Sequence, residues 1–339
     1  MQPHNGELPS INPRRLVLEA GPPALAALLE QTGYVIQQEI LRDLCHALRS
    51  CNPYLISGPR GGGKTALGEA LAAACNLPVY YLQGMEGLTL SDVLYSWDTE
   101  GQTQWVRQAM SAGLGLGEAR AQQWTREYLN LGEALAAYEA AASREDLVPV
   151  FMLDEIDKIE GRIEDMLLQL FGRGYAHVPR FGEIGVRDRG RWPIVILLSN
   201  DIRHDLSAPL RSRCVFSWQN PPTPREEVTI LRARCREVPP SLIVAVVKMI
   251  NEIRGMAGIV DKPGLRESIE LIRALEQQGV KELSGGVIRD HLCFLGKRQM
   301  DLANLAKGLA RLESAVRRNS TDYDQWMAEV DEREACHAA

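Results

Sequence analysis

The sequence predicts an α/β fold, a parallel sheet covered by helices, followed by a smaller all-α domain. Three observations predict it. Short apolar runs alternate with helical patterns up to residue 218, as in a chain that builds a parallel sheet. Two of these runs, Val148-Pro149-Val150-Phe151-Met152-Leu153 and Ile194 to Leu198, are continuously apolar, which fits strands buried on both faces. Beyond Asn220-Pro221-Pro222-Thr223-Pro224 every pattern is helical, and three prolines in residues 221–224 forbid a helix from continuing through them.

The elements follow in order. Residues 1–30 hold several prolines and read as an extended N-terminal arm running into a short helix. Ile36 to Leu48 carries apolar residues at helical spacing. Tyr54 to Ser57 reads as a short buried strand, and Ala66 to Ala74 as a helix rich in Ala and Leu. Pro78 to Leu82 is a second strand. Residues 91–145 read as a mainly helical insertion, broken around Gly113, Gly115 and Gly117. Val148 to Leu153 is the next strand and Ile163 to Phe171 an amphipathic helix. Residues 175–192 alternate and carry several glycines, which predicts a β-hairpin. Pro193 to Leu198 is a further buried strand. The second domain, 221–318, reads as helices over 225–235, 241–254, 265–277, 284–295 and 300–317. Residues 319–339 form a polar tail.

Gly58-Pro59-Arg60-Gly61-Gly62-Gly63-Lys64-Thr65, with Ala66 after it, matches the phosphate-binding pattern G-x-x-x-x-G-K-[ST]. It lies between a strand and a helix N-terminus, where unpaired N–H groups and the positive end of the helix dipole face an anion. Glycines let the backbone wrap phosphate oxygens without a Cβ in the way. Lys64 is placed to reach the β- and γ-phosphates, and the Thr65 hydroxyl to ligate Mg²⁺. The strand ending in Asp154-Glu155 supplies two acids. Asp154 is assigned to the metal and Glu155 to the attacking water. Asn200 ends the next strand, where a neutral polar side chain can orient that water or simply cap a turn. Arg211 and Arg213 are candidates for stabilising phosphoryl charge in a neighbouring subunit.

Composition narrows the classes. Of 339 residues, 45% are hydrophobic and 24% charged, as in an ordinary globular chain. A formal charge of −6 weighs against nucleic acid as the primary partner. The seven cysteines form no C-x-x-C pair and, with six histidines, no zinc spacing, which fits reduced thiols in a cytoplasmic protein. Met1 to Leu18 has no apolar core of a signal peptide. No apolar run approaches the length that spans a bilayer.

Taken together, the P-loop, the Asp-Glu strand, the polar strand end, the arginine pair and the helical domain resemble an AAA+ ATPase. Within AAA+ the chain looks like the MoxR group, nearest to the branch containing the carbon monoxide dehydrogenase maturation ATPase. The stretches carrying the likeness are Leu82-Gln83-Gly84-Met85-Glu86-Gly87-Leu88, Val93-Leu94-Tyr95-Ser96-Trp97, Leu153 to Lys158, Leu198 to Arg203, Leu210 to Cys214 and Lys262 to Glu267. The resemblance implies a five-stranded parallel sheet in a core over 31–220 and a helical lid over 221–318. It implies that Lys64 and Thr65 are Walker A, Asp154 and Glu155 Walker B, Asn200 sensor 1, Arg213 or Arg211 the arginine finger, and Arg266 sensor 2. Tyr34, Val35 and Ile36 stand where the adenine is usually held. ATP and Mg²⁺ are the implied cofactors.

The same likeness implies a homo-oligomeric, hexameric ring that remodels client proteins or assists metalloenzyme maturation with a von Willebrand A-domain partner. Arg180 and Phe181, near the tip of the 175–192 hairpin, are its candidate client contacts. The loop departs from its relatives at Arg60, where they usually carry proline; a solvent-facing side chain is expected there. A nucleic-acid-associated motor or loader is the alternative function, and a non-catalytic nucleotide-gated scaffold a third.

Overall fold

The computed structural model describes residues 10–144, 147–200 and 206–317. They fall into two compact units. One holds the chain up to Thr32, Ile36–Gly58 and Lys64–Trp218; the other holds Gly33–Val35, Pro59–Gly63 and the chain from Gln219 onward.

The first unit is built on strands β1 (Tyr54–Ser57), β2 (Val79–Gln83), β3 (Tyr95–Trp97), β4 (Leu129–Leu131), β5 (Val150–Asp154), β6 (Tyr175–Val178), β7 (Gly182–Gly185), β8 (Ile194–Ser199) and β9 (Val215–Trp218). Its main sheet has five strands in the order β2-β5-β8-β1-β9, every pair parallel. Parallel pairing sends all five C-terminal ends to one edge, the edge where ligands bind in open α/β sheets. Ser57 therefore pairs with Ser199 and Trp218, and Gln83 with Asp154. The inner strands β1 and β8 are buried along their whole length, as their apolar runs require. Leu55, Phe151, Leu153, Val195 and Leu197 pack with Leu135, Tyr138 and Leu167 of the covering helices.

Helix Gln38–Ser50 follows the two N-terminal helices Pro13–Glu19 and Pro22–Gln31. The second N-terminal helix replaces part of the expected arm. Proline starts both helices, in the first turn, where its missing N–H costs nothing. Residues 1–9 of the arm lie outside the described residues.

The insertion differs from its all-helical reading. Helices Leu90–Val93, Thr99–Ser111, Leu116–Gln122 and Glu133–Ser143 are joined by an antiparallel β3–β4 pair of three residues each, too short to show an alternating pattern. The break falls around Gly113, at φ 96°, while Gly117 is helical. The hairpin is β6–β7, 175–185, shorter than 175–192; a 3₁₀ turn over Arg189–Arg191 follows, N-capped by Asp188. At its tip Phe181 meets Trp97 edge-on at 6.4 Å, and the Arg180 guanidinium lies 4.6 Å from the centre of the Trp124 ring. Both tip side chains thus engage the insertion.

The second unit carries helices Pro224–Arg234, Pro240–Arg254, Leu265–Gln277, Gly285–Asp290, Leu292–Leu295, Gln299–Lys307 and Leu309–Arg317. The expected helices over 284–295 and 300–317 are each divided, the first at His291 and the second at Gly308. A Cβ at Gly308 would stand 2.6 Å from Met256 Cε, the mobile end of that side chain. Val228, Leu231, Ile250, Leu271 and Ile272 form its core. Inside it the fully buried Glu227 accepts from Arg254 at 2.7 and 3.1 Å and from the Ser268 hydroxyl. A charge buried this deeply persists only with such partners. The polar tail 319–339 lies outside the described residues. Among those described, no helix is long and apolar enough to cross a membrane.

Candidate functional site

The site of the first unit is assembled at the C-terminal edge of the sheet. β1 delivers Gly58, and helix Lys64–Cys75 begins with the two residues assigned to phosphate and metal. Lys64 is buried, and its ammonium donates to the Gly58 carbonyl at 2.8 Å. The Thr65 hydroxyl donates to Asp154 Oδ2 at 2.7 Å. Ala66 follows in the helix's first turn, half-buried.

Glu155 adopts a left-handed conformation, φ 52° and ψ 45°. A non-glycine residue held there is strained backbone of the kind that clusters at functional sites. Its N–H donates to Asp154 Oδ1 at 2.7 Å. Its own carboxylate meets three donors. Oε2 accepts from Gln83 Nε2 at 2.6 Å and from the Lys158 ammonium, and Oε1 accepts from Asn200 Nδ2 at 3.4 Å. Asn200 is placed in turn by Asp157, buried at 2% exposure, whose Oδ1 accepts from the Asn200 N–H at 3.0 Å and the Ser199 hydroxyl at 3.2 Å.

Gln83 is oriented from behind. The Tyr81 hydroxyl, on the same face of β2, donates to Gln83 Oε1 at 2.5 Å, which leaves the amide nitrogen for Glu155. Burial pushes the Tyr81 pKa up to about 12, helped by the charge of Asp154 and a contact to it at 3.4 Å, so the hydroxyl remains a donor. The turn after β2 passes the acids closely. Gly84 N–H donates to the Asp154 carbonyl at 2.7 Å, and a Cβ at Gly84 would stand 2.2 Å from the Glu155 carbonyl oxygen.

In the second unit, residues 59–63 run as a turn with Gly61 at φ 77° and Gly63 at φ 88°, values that favour glycine. Pro59, Arg60 and Gly61 are exposed, and Gly62 and Gly63 are half-buried. Gln219 Nε2 donates to the Gly62 carbonyl at 2.7 Å, and the Tyr34 hydroxyl reaches the Gly63 carbonyl at 3.5 Å. The Arg266 side chain is 76% exposed and pairs with Glu270 at 3.0 Å; a Cβ on Gly61 would lie 3.9 Å from its own Cβ.

Thr65, Asp154, Glu155 and Asn200 are therefore joined in one hydrogen-bonded cluster. Arg211 and Arg213 stand apart from it, exposed on helix Ala208–Arg213, where Arg213 donates to the Pro209 carbonyl at 3.1 Å. Sequence reasoning gave no role to Gln83, Tyr81, Asp157 or Lys158. Gln83 could have been found as a polar residue ending a strand beside Asp154.

The donor set suits Mg²⁺. A hydroxyl and a carboxylate oxygen lie 2.7 Å apart beside a phosphate-binding loop, and Mg²⁺ takes few protein oxygens, filling its remaining sites with phosphate and water.

Residues 53–214 match the family model of the AAA domain, dynein-related subfamily. The matched stretch contains Gly58 to Thr65, Asp154, Glu155, Asn200, Arg211 and Arg213; Arg266 lies outside it. The chain carries the AAA+ P-loop fold, a five-stranded parallel sheet with flanking helices, of which β9 lies just beyond the matched stretch. Among solved structures the chain is similar to a point mutant of Thermotoga maritima RuvB, at 16% identity over 78% of this chain and 71% of that one, with a TM-score of 0.45. It is also similar to the Thermotoga maritima RuvB Holliday junction branch migration motor, at 16% identity over 76% and 68%, with a TM-score of 0.41. No curated protein matches the chain.

Proposed function

We propose that this chain is an ATPase that binds ATP with Mg²⁺ along Gly58–Thr65 and hydrolyses the terminal phosphoric anhydride. One observation carries this reading: Thr65 and Asp154 meet at 2.7 Å, with Glu155 as the next residue. Backbone N–H groups of the loop and the Lys64 ammonium would hold the β- and γ-phosphates. Thr65 and Asp154 would hold the metal, whose charge offsets that of the phosphates when it is bound. Glu155 would take a proton from water as the water oxygen bonds to the γ-phosphorus and the bond to the bridging oxygen breaks. Gln83, Asn200 and Lys158 fix where that carboxylate points.

The finer reading is a MoxR-like ring ATPase, hexameric, with core 31–220 and lid 221–318. It remodels client proteins or assists metalloenzyme maturation with a von Willebrand A-domain partner. Its support is the sequence resemblance and the exposure of Arg211 and Arg213, which leaves both accessible to a second copy. In it Arg213, or Arg211, completes the site of the neighbouring subunit, and Arg266 leaves Glu270 for the γ-phosphate.

Steady-state hydrolysis tests the chemistry. Glu155→Gln should bind ATP as the parent does and lose about 10²–10⁴ in turnover; near-normal turnover would remove Glu155 as the base. Mixing Arg213→Ala with Glu155→Gln subunits tests the ring. Partial recovery of activity is expected, and no recovery at any ratio would refute a finger acting in trans.

A further inference from the structure

Gln219 is a buried polar residue with no part in the roles above. It is 5% exposed, and its amide nitrogen donates to the Gly62 carbonyl at 2.7 Å, while its Oε1 is buried and has no hydrogen-bond partner among the described residues. Leaving a buried amide oxygen unpaired is costly. The side chain is therefore held there for its nitrogen. Beside it, Tyr34 is 7% exposed and its hydroxyl reaches the next carbonyl, Gly63, at 3.5 Å. The Gln219 amide also faces the Tyr34 oxygen. Two successive carbonyls of the glycine loop are thus engaged from one side by buried side chains.

The geometry of the peptide bond gives this a consequence. In a planar trans unit the C=O and the following N–H point in opposite directions. Fixing the Gly62 carbonyl toward Gln219 turns the Gly63 N–H to the opposite side of the loop, and fixing the Gly63 carbonyl toward Tyr34 does the same for the Lys64 N–H. Glycines at positive φ resist neither orientation by themselves, since they have no Cβ to choose between alternatives. An amide donor on the carbonyl side makes the choice for them.

We infer that Gln219, supported by Tyr34, is a positioning residue for phosphate: it orients the Gly63 and Lys64 N–H groups toward the phosphates of a bound nucleotide. This rests on the nucleotide-binding reading of Gly58–Thr65. Gln219→Glu keeps size and shape but sets a carboxylate oxygen against the Gly62 carbonyl. Gln219→Met removes the donor, together with the unpartnered Oε1, at similar length and without adding charge.

The test is competitive binding on the full chain, with a fluorescent ATP analogue as reporter and ATP, ADP and tripolyphosphate as competitors. Gln219→Glu should weaken all three by about tenfold or more, Gln219→Met by several-fold, and Tyr34→Phe by about twofold to threefold. The melting temperature without ligand should change little in Gln219→Met and Tyr34→Phe, whereas Gln219→Glu buries an unpaired charge and should lower it. Tripolyphosphate is the decisive competitor, because it has no base. Loss confined to ATP and ADP would mean that Gln219 serves the base and would overturn the inference. Parental affinities in all three variants would also overturn it. If Gln219→Glu fails to fold, Gln219→Met and Tyr34→Phe still decide. Lys64→Ala separates the two claims. Parental protein that binds and Lys64→Ala that does not, with unaffected Gln219 variants, would sink this inference alone. A parent that binds no nucleotide would sink both.

Discussion

Gln83 and Glu155 are joined across the end of the sheet, the amide nitrogen of one 2.6 Å from Oε2 of the other. Their strands pair so that Gln83 stands directly beside Asp154. The side chain that flanks the acid assigned to the metal thus steers the acid assigned to the water.

Gln83→Leu tests that link. It leaves Glu155 tied to Lys158 and Asn200 only. Turnover should fall by about tenfold while KM for ATP stays within about threefold, because the lost contact orients a base and does not bind substrate. An unchanged kcat would reduce Gln83 to edge packing.

Gly84→Ala should be strongly destabilising. The added Cβ would stand 2.2 Å from the Glu155 carbonyl oxygen and 2.8 Å from that of Asp154, and backbone cannot step aside as a flexible side chain can. A loss of about 2–4 kcal/mol is expected from denaturant unfolding. A loss under about 1 kcal/mol would mean that the turn after β2 relaxes freely.

Tyr34 predicts an alkaline limit to stability. Burial pushes its pKa from 10.0 up to about 12, so the folded chain favours the neutral phenol. That contribution is complete below pH 10.0 and is lost as the pH rises from there through about 12. Tyr34→Phe should flatten the decline of unfolding free energy over this window, by up to roughly 3 kcal/mol at its upper end. Parallel curves for the two proteins would show that Tyr34 does not ionise on unfolding.

The parts legible in the sequence are those with a local signal. The loop 58–65 has a fixed spacing of glycines, lysine and threonine, and the runs before Asp154 and Asn200 are apolar without interruption because their strands are buried on both faces. β9 went unlocated because it is a four-residue edge strand of mixed exposure, held by pairing to Tyr54–Ser57 across the chain. β3 and β4 are shorter still. The divisions at His291 and Gly308 fall inside patterns whose helical periodicity continues across them. Gln83, Asp157 and Lys158 lie in stretches that carry the family likeness, which gave them no individual role; their roles come from side chains brought together by the parallel register and by the left-handed turn at Glu155. Gln219 is 157 residues from the glycine whose carbonyl it engages.

The most direct measurement is calorimetric titration of ATP with Mg²⁺ into the full chain and into Lys64→Ala. Saturable binding to the parent, lost by at least about a hundredfold in Lys64→Ala, is the predicted result. Equal affinity in both proteins, or none in the parent, would contradict a nucleotide site at Gly58–Thr65.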